Sequence, residues 1–115
     1  MSSLAEYEYV CDALADKRGL EIVGLDLKEI GTLSDVFIIV TGNSEVHMKT
    51  LVESAQEALE RNGHAARIEG ENSPNWRLLD GGDVLVHVFS KKGREFYKVE
   101  KLWADAEILS YAYKD

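Results

Sequence analysis

The chain has 115 residues, 45% of them hydrophobic and 30% charged, enough for one domain with a buried core and too apolar for wholesale disorder. Its formal net charge is −8, from 21 acidic against 13 basic residues. That balance argues against binding along a phosphate backbone, which draws most of its affinity from basic side chains and counterion release, and suits a basic protein partner steered in by the field. No run approaches the ~18 apolar residues of a membrane span, so no membrane association is expected. The opening MSSLAEYEYV has neither the basic start nor the apolar stretch of a secretory signal. The single Cys11 can form no internal disulfide and no Cys-based zinc site. These features point to one cytoplasmic domain over residues 1–115.

In chain order, Leu4, Tyr7, Cys11 and Leu14 recur at helical spacing, with Val10 beside them and acids opposite, and the pattern stops at Lys17-Arg18-Gly19. LEIVGLDL (20–27) alternates as a half-buried strand. DVFIIVTG (35–42) is apolar on both faces and belongs inside a sheet. Ser44 is placed to cap a second helix, whose stripe is Met48, Leu51, Val52, Ala55 and Leu59 and whose end is Asn62-Gly63. HAARIEG is a short strand candidate. In Trp76 to Asp80, strand alternation puts Trp76, Leu78 and Asp80 on one face and Arg77 and Leu79 on the other. Gly81-Gly82 allows a tight turn into DVLVHVF (83–89), a second strand apolar on both sides. Ser90 is placed to cap a third helix with Phe96, Val99, Leu102 and Trp103 on its apolar face, although Gly93 weakens it. The order α-β-β-α-β-β-β-α gives an α/β (α+β) fold: a small mixed sheet of about five strands with flanking helices.

Candidate chemistry follows from the polar residues. Asp26 and Asp35 bracket a turn between two strands, and a metal-dependent nucleotidyl-transfer enzyme is the alternative reading they invite. That chemistry wants two carboxylates two residues apart on one strand face. Here Lys28 follows Asp26 and Phe37 follows Asp35 at that spacing, so strand-end and turn acids are the better reading. TGNSEVH (41–47) is a strand–turn–helix junction with free N–H groups, but it lacks the glycine and lysine spacing of a phosphate loop. His47, three residues after Ser44, is read as part of the helix cap. His64 is expected to face solvent, and His87, among valines, to be a satisfied core histidine. No two His residues are spaced for zinc, and neither a catalytic residue nor a metal ligand is assigned.

GENSPNWRLLDGGDVLVHVF (70–89) holds the strongest binding signal. Asn-Ser-Pro-Asn makes a turn. Trp76 serves either as a core anchor or as an exposed aromatic anchor of the kind that dominates interfaces. With Leu78 beside it and Asp80 on the same face, the second reading gives an apolar centre with an acidic rim.

TGNSEVHMK, EGENSPNWRLLDGGDVLVHVF and REFYKVEKLWADA, in this order and spacing, resemble the ribosomal silencing factor (Iojap-related) family over roughly Leu4 to Ala106. The resemblance implies a nucleotidyltransferase-like sheet topology without that enzyme's catalytic acids. It implies a protein with no enzymatic role and no cofactor. Such a protein binds the large ribosomal subunit through its basic protein number fourteen, with little direct rRNA contact. It blocks joining of the small subunit and represses translation when nutrients are short, and it is often a homodimer when free. Carried over by residue, it makes Trp76, Leu78, Asp80, Arg94, Tyr97, Glu100 and Lys101 the partner-binding set. The tail after about residue 106 has no role assigned by it.

Overall fold

The structure, a computed structural model, describes residues 3–26, 35–97 and 107–110. A 3-10 turn over Ser3–Tyr7 leads into helix α1, Glu8–Asp16. Strands β1, Leu20–Asp26, and β2, Val36–Gly42, follow, then helix α2, Glu45–Arg61. Strands β3, Arg67–Glu69, β4, Trp76–Asp80, and β5, Val84–Ser90, precede the short helix α3, Lys91–Tyr97. A last strand, β6, spans Glu107–Ser110.

The strands form one sheet in the order β3-β4-β5-β2-β1-β6. Only the β2–β5 pair is parallel; the other four pairings are antiparallel, so the sheet is mixed as expected. It has one strand more than the sequence pattern indicated. The addition comes from the tail segment EILS, whose backbone pairs antiparallel with β1, Leu25 opposite Ile108. Side-chain pattern found the other five, whereas β6 is defined by the free edge that β1 offers.

β2 is buried at all seven positions, and β5 at all but its second and last. Side chains alternate across the sheet. Val36, Ile38, Val40, Val84, Val86 and Val88 therefore face one way, where α1 and α2 pack through Val10, Cys11, Leu14, Met48, Leu51, Val52, Ala55 and Leu59. This is the main core, and each fully buried Leu or Ile in it stabilises the fold by roughly 1.5–3 kcal/mol. Cys11 is buried within it, and burial pushes its thiol up to about 12, so it is an inert packing residue. The alternate residues form a second cluster on the opposite face: Leu25, Phe37, Ile39 and Phe89, with Val23, Trp76 and Leu85 packed on them.

The starts of α2 and α3 rest on serine, whereas α1 begins after Tyr7 without a side-chain cap. Ser44 Oγ accepts from the His47 backbone N–H at 3.0 Å, and Ser90 Oγ accepts from that of Gly93 at 2.9 Å. α2 ends through Asn62 and Gly63, the latter at φ +85. Gly93 proves to be a requirement. A Cβ there would sit 2.2 Å from the Asn75 carbonyl oxygen, because α3 lies directly on the turn that leads into β4. Ser90 ties the same turn, its N–H donating to the Asn75 carbonyl at 3.1 Å and its Oγ lying 2.8 Å from Asn75 Oδ1. Gly93→Ala is expected to destabilise the protein by about 1–3 kcal/mol, as overpacking does, despite the better helix propensity of alanine. Urea unfolding of the two proteins would measure this, and equal midpoints would show that the helix can shift away at no cost.

Candidate binding face

The strand alternation read from the sequence holds in β4. Arg77 and Leu79 are buried toward the helices, while Trp76, Leu78 and Asp80 are half-buried on the second face. The register then supplies their neighbours. Trp76 lies opposite Phe89, Leu78 opposite His87, and Asp80 opposite Leu85; on the other side of β4, Glu69 faces Leu78 and Arg67 faces Asp80.

Trp76 is neither a fully buried anchor nor a free one. Its ring stacks on Phe89 with centroids 5.4 Å apart, and its Nε1 donates to His87 Nδ1 at 3.1 Å. Its backbone N–H donates to Ser73 Oγ at 3.2 Å, so the Asn-Ser-Pro-Asn turn sets where the strand begins. Arg77 reinforces that turn from the helix side, donating from Nε to the Ser73 carbonyl at 2.9 Å and lying 3.5 Å from Glu45. It also lines an open groove of about 420 Å³ with Glu45, Val46, Lys49, Val52 and Ile68.

Asp80 has two partners. Oδ1 accepts from the Gly82 backbone N–H at 2.9 Å, which shapes the Gly81-Gly82 turn, and Oδ2 lies 3.8 Å from Arg67 Nη2. Glu69 is 3.6 Å from the same guanidinium. Half-exposed Trp76 and Leu78 are thus flanked at the β3–β4 edge by two acids sharing one arginine.

Arg94, on α3, is only 9% exposed; its Nη1 donates to Thr41 Oγ1 at 3.0 Å, which ties α3 to the end of β2. Tyr97 closes α3. Glu100 and Lys101 lie outside the described residues, as do Val99, Leu102 and Trp103 of the expected helix face. Phe96, expected on that apolar face, is 77% exposed. With a helix of two turns fixed by Ser90, Gly93 and Arg94, position 96 turns away from the sheet.

The histidines divide by environment. His47 works at the helix cap, as read from its position: Nδ1 accepts from the Asn43 N–H at 2.8 Å, and Nε2 lies 2.8 Å from the Lys17 carbonyl. His64, expected at the solvent, is instead half-buried with its ring 5.5 Å from that of Tyr7, because the chain leaving α2 folds back over the first turn of the protein. His87, expected to be fully satisfied, is half so. It is 4% exposed, its Nδ1 takes the indole N–H, and its buried Nε2 has no hydrogen-bond partner among the described residues. Sequence pattern missed His87 and Arg67 as members of this face, since only the strand register brings them beside Trp76 and Asp80.

Asp26 ends β1 beside the start of β2, and the Asp35 backbone N–H donates to the Asp83 carbonyl at 3.0 Å. Among the described residues, no three His, Cys, Asp or Glu side chains gather as a metal-holding group. No helix among them is long and apolar enough to cross a membrane.

With this geometry in place, comparison with known proteins is specific. A family model described as "Ribosomal silencing factor during starvation" matches residues 1–114, and the chain belongs to that family. It is 36% identical over 107 residues to the ribosomal silencing factor of Halalkalibacterium halodurans, covering 92% of each chain. A crystal structure of a Chromobacterium violaceum protein superposes with a TM-score of 0.82 at 35% identity, covering 90% of this chain and 87% of that one. A mouse relative named "Mitochondrial assembly of ribosomal large subunit protein 1" is 30% identical over 74 residues, 61% of this chain and 32% of its own.

Burial lowers the His87 pKa from 6.5 to about 4. Between those two values the unfolded chain takes up a proton that the folded chain refuses. Stability should therefore be undiminished by this group above pH 6.5, fall as the pH drops toward about 4, and level off below. The loss over that window is on the order of a few kcal/mol. Urea unfolding at a series of pH values should show it in the parent and a correspondingly flatter profile in His87→Phe; parallel profiles would assign the acid sensitivity to other groups.

Proposed function

We propose that this protein silences the large ribosomal subunit by docking on its basic protein number fourteen, so that the small subunit cannot join and translation falls when nutrients are short. The observation that carries the reading is the half-exposed Trp76–Leu78 strip, backed by an aromatic cluster and edged by Glu69 and Asp80. An aromatic anchor already stacked in place loses little side-chain entropy on binding, and acids at a rim speed the approach of a basic partner. Membership of a silencing-factor family, and the large-subunit name of the mouse relative, support the ribosome as the target.

The mechanism is steric, with no enzymatic step and no cofactor. A body of 34 × 31 × 29 Å seated on an intersubunit surface fills space that two particles must share. Trp76, Leu78 and Asp80 form the centre of the contact. Tyr97, Glu100 and Lys101 extend it, and Arg94 contributes by holding α3 against Thr41. A net charge of −8 keeps the contact on protein with little on rRNA. The place of action is the cytoplasm, and the same face pairs two copies when the protein is free.

Trp76→Ala should leave the fold intact and weaken large-subunit binding by about 2 kcal/mol or more, the loss typical of an interface hot spot. Cosedimentation with purified large subunits measures this, and unchanged occupancy by a folded variant would remove Trp76 from the contact. Adding the protein in excess to separated subunits should also lower the yield of joined ribosomes, and a full yield would end the steric reading.

A further inference from the structure

We infer that His87 is the positioning residue for Trp76: by accepting the indole N–H on Nδ1 it holds the ring over Phe89, the two planes 29° apart, and fixes which surface of the indole a partner meets. The inference rests on Trp76 lying at the docking contact and adds the residue that sets its geometry. Three observations carry it. The Nε1–Nδ1 distance is 3.1 Å, within a good hydrogen bond. The imidazole is held by aromatic neighbours, 4.7 Å from Phe37 and nearly parallel to Phe89 at 7°, so it is a fixed acceptor. Among the described residues, the other side chains of this cluster, Val23, Leu25, Phe37, Ile39, Leu85 and Phe89, carry no hydrogen-bond acceptor.

The arrangement also has a cost that packing alone does not explain. An imidazole that accepts on Nδ1 in its neutral form carries its proton on Nε2, and that buried donor has no partner among the described residues. A phenylalanine at position 87 would fill the same apolar space with no orphaned group. It would also leave the indole N–H without an acceptor, and the ring would turn that edge toward water. Histidine is the residue here that both stacks among aromatics and accepts a hydrogen bond.

The test compares His87→Phe, His87→Asn and Trp76→Phe in the full chain, reading the indole ¹⁵N–¹H resonance of Trp76 in the free protein and occupancy of purified large subunits. His87→Phe should move that resonance to a solvent-like position, speed its hydrogen exchange and weaken binding roughly three- to tenfold, the worth of one neutral hydrogen bond. Asparagine puts Oδ1 where Nδ1 was, so His87→Asn should keep the resonance and recover most of the affinity. In a Trp76→Phe background, which has no N–H to orient, His87→Phe should cause no further loss. An unmoved indole resonance in His87→Phe overturns the inference in the free protein, whatever the ribosome does. Full binding by His87→Phe beside weak binding by Trp76→Ala also overturns it while sparing the docking reading. Full binding by Trp76→Ala removes the docking reading itself. If His87→Phe does not fold, the Asn variant decides: a folded His87→Asn that loses both resonance and affinity overturns the inference.

Discussion

Two parallel strands that are apolar on both faces dictate the rest of this molecule. β2 and β5 lie side by side at the centre of the sheet, and nearly every residue of either is buried. Such a pair cannot leave one side to water, so the fold needs two covers. α1 and α2 provide the first through a long aliphatic interface. The second face is built differently, from aromatic rings and strand-end polar groups. The two faces differ in composition, one aliphatic and the other rich in aromatic rings. Aliphatic residues interlock and exclude everything, while stacked rings leave an edge available.

Trp76 occupies the boundary between those roles. It has enough contact to be fixed and enough exposure to be met. Three neighbours hold it: Ser73 at the strand start, Phe89 through the stack and His87 through the indole N–H. The neighbouring acids are similarly prearranged, with Asp80 held by the turn at Gly82 and paired with Arg67. On the steric reading proposed above, such a prearranged contact would lower the ordering cost of docking.

Much of this was legible in the sequence because it is local. Period-2 alternation put Trp76, Leu78 and Asp80 on one face, and period-3.6 stripes gave α1 and α2 with their buried residues. Ser44 and His47 could be read as a cap because all the atoms involved lie within five residues. The motifs that indicated the family are short runs of the same kind. Other features rest on contacts between distant segments. Gly93 reads as a weak point in a helix until Asn75 is seen beneath it. Arg94 is assigned to partner binding by the resemblance alone, and its bond to Thr41, 53 residues away, emerges only in three dimensions. His64 reads as exposed until Tyr7 packs on it.

The sequence by itself determined the elements, the face each side chain takes and the family, since these follow from backbone periodicity and from residues close in the chain. Strand order and register were left to the tertiary structure, because pairing depends on which edges meet in space. That is why EILS became a sixth strand on β1, and why His87 came to lie beside Trp76. Register also gives Trp76 its half-buried place over Phe89: one residue of slip between β4 and β5 would have turned the indole to the other side of the sheet.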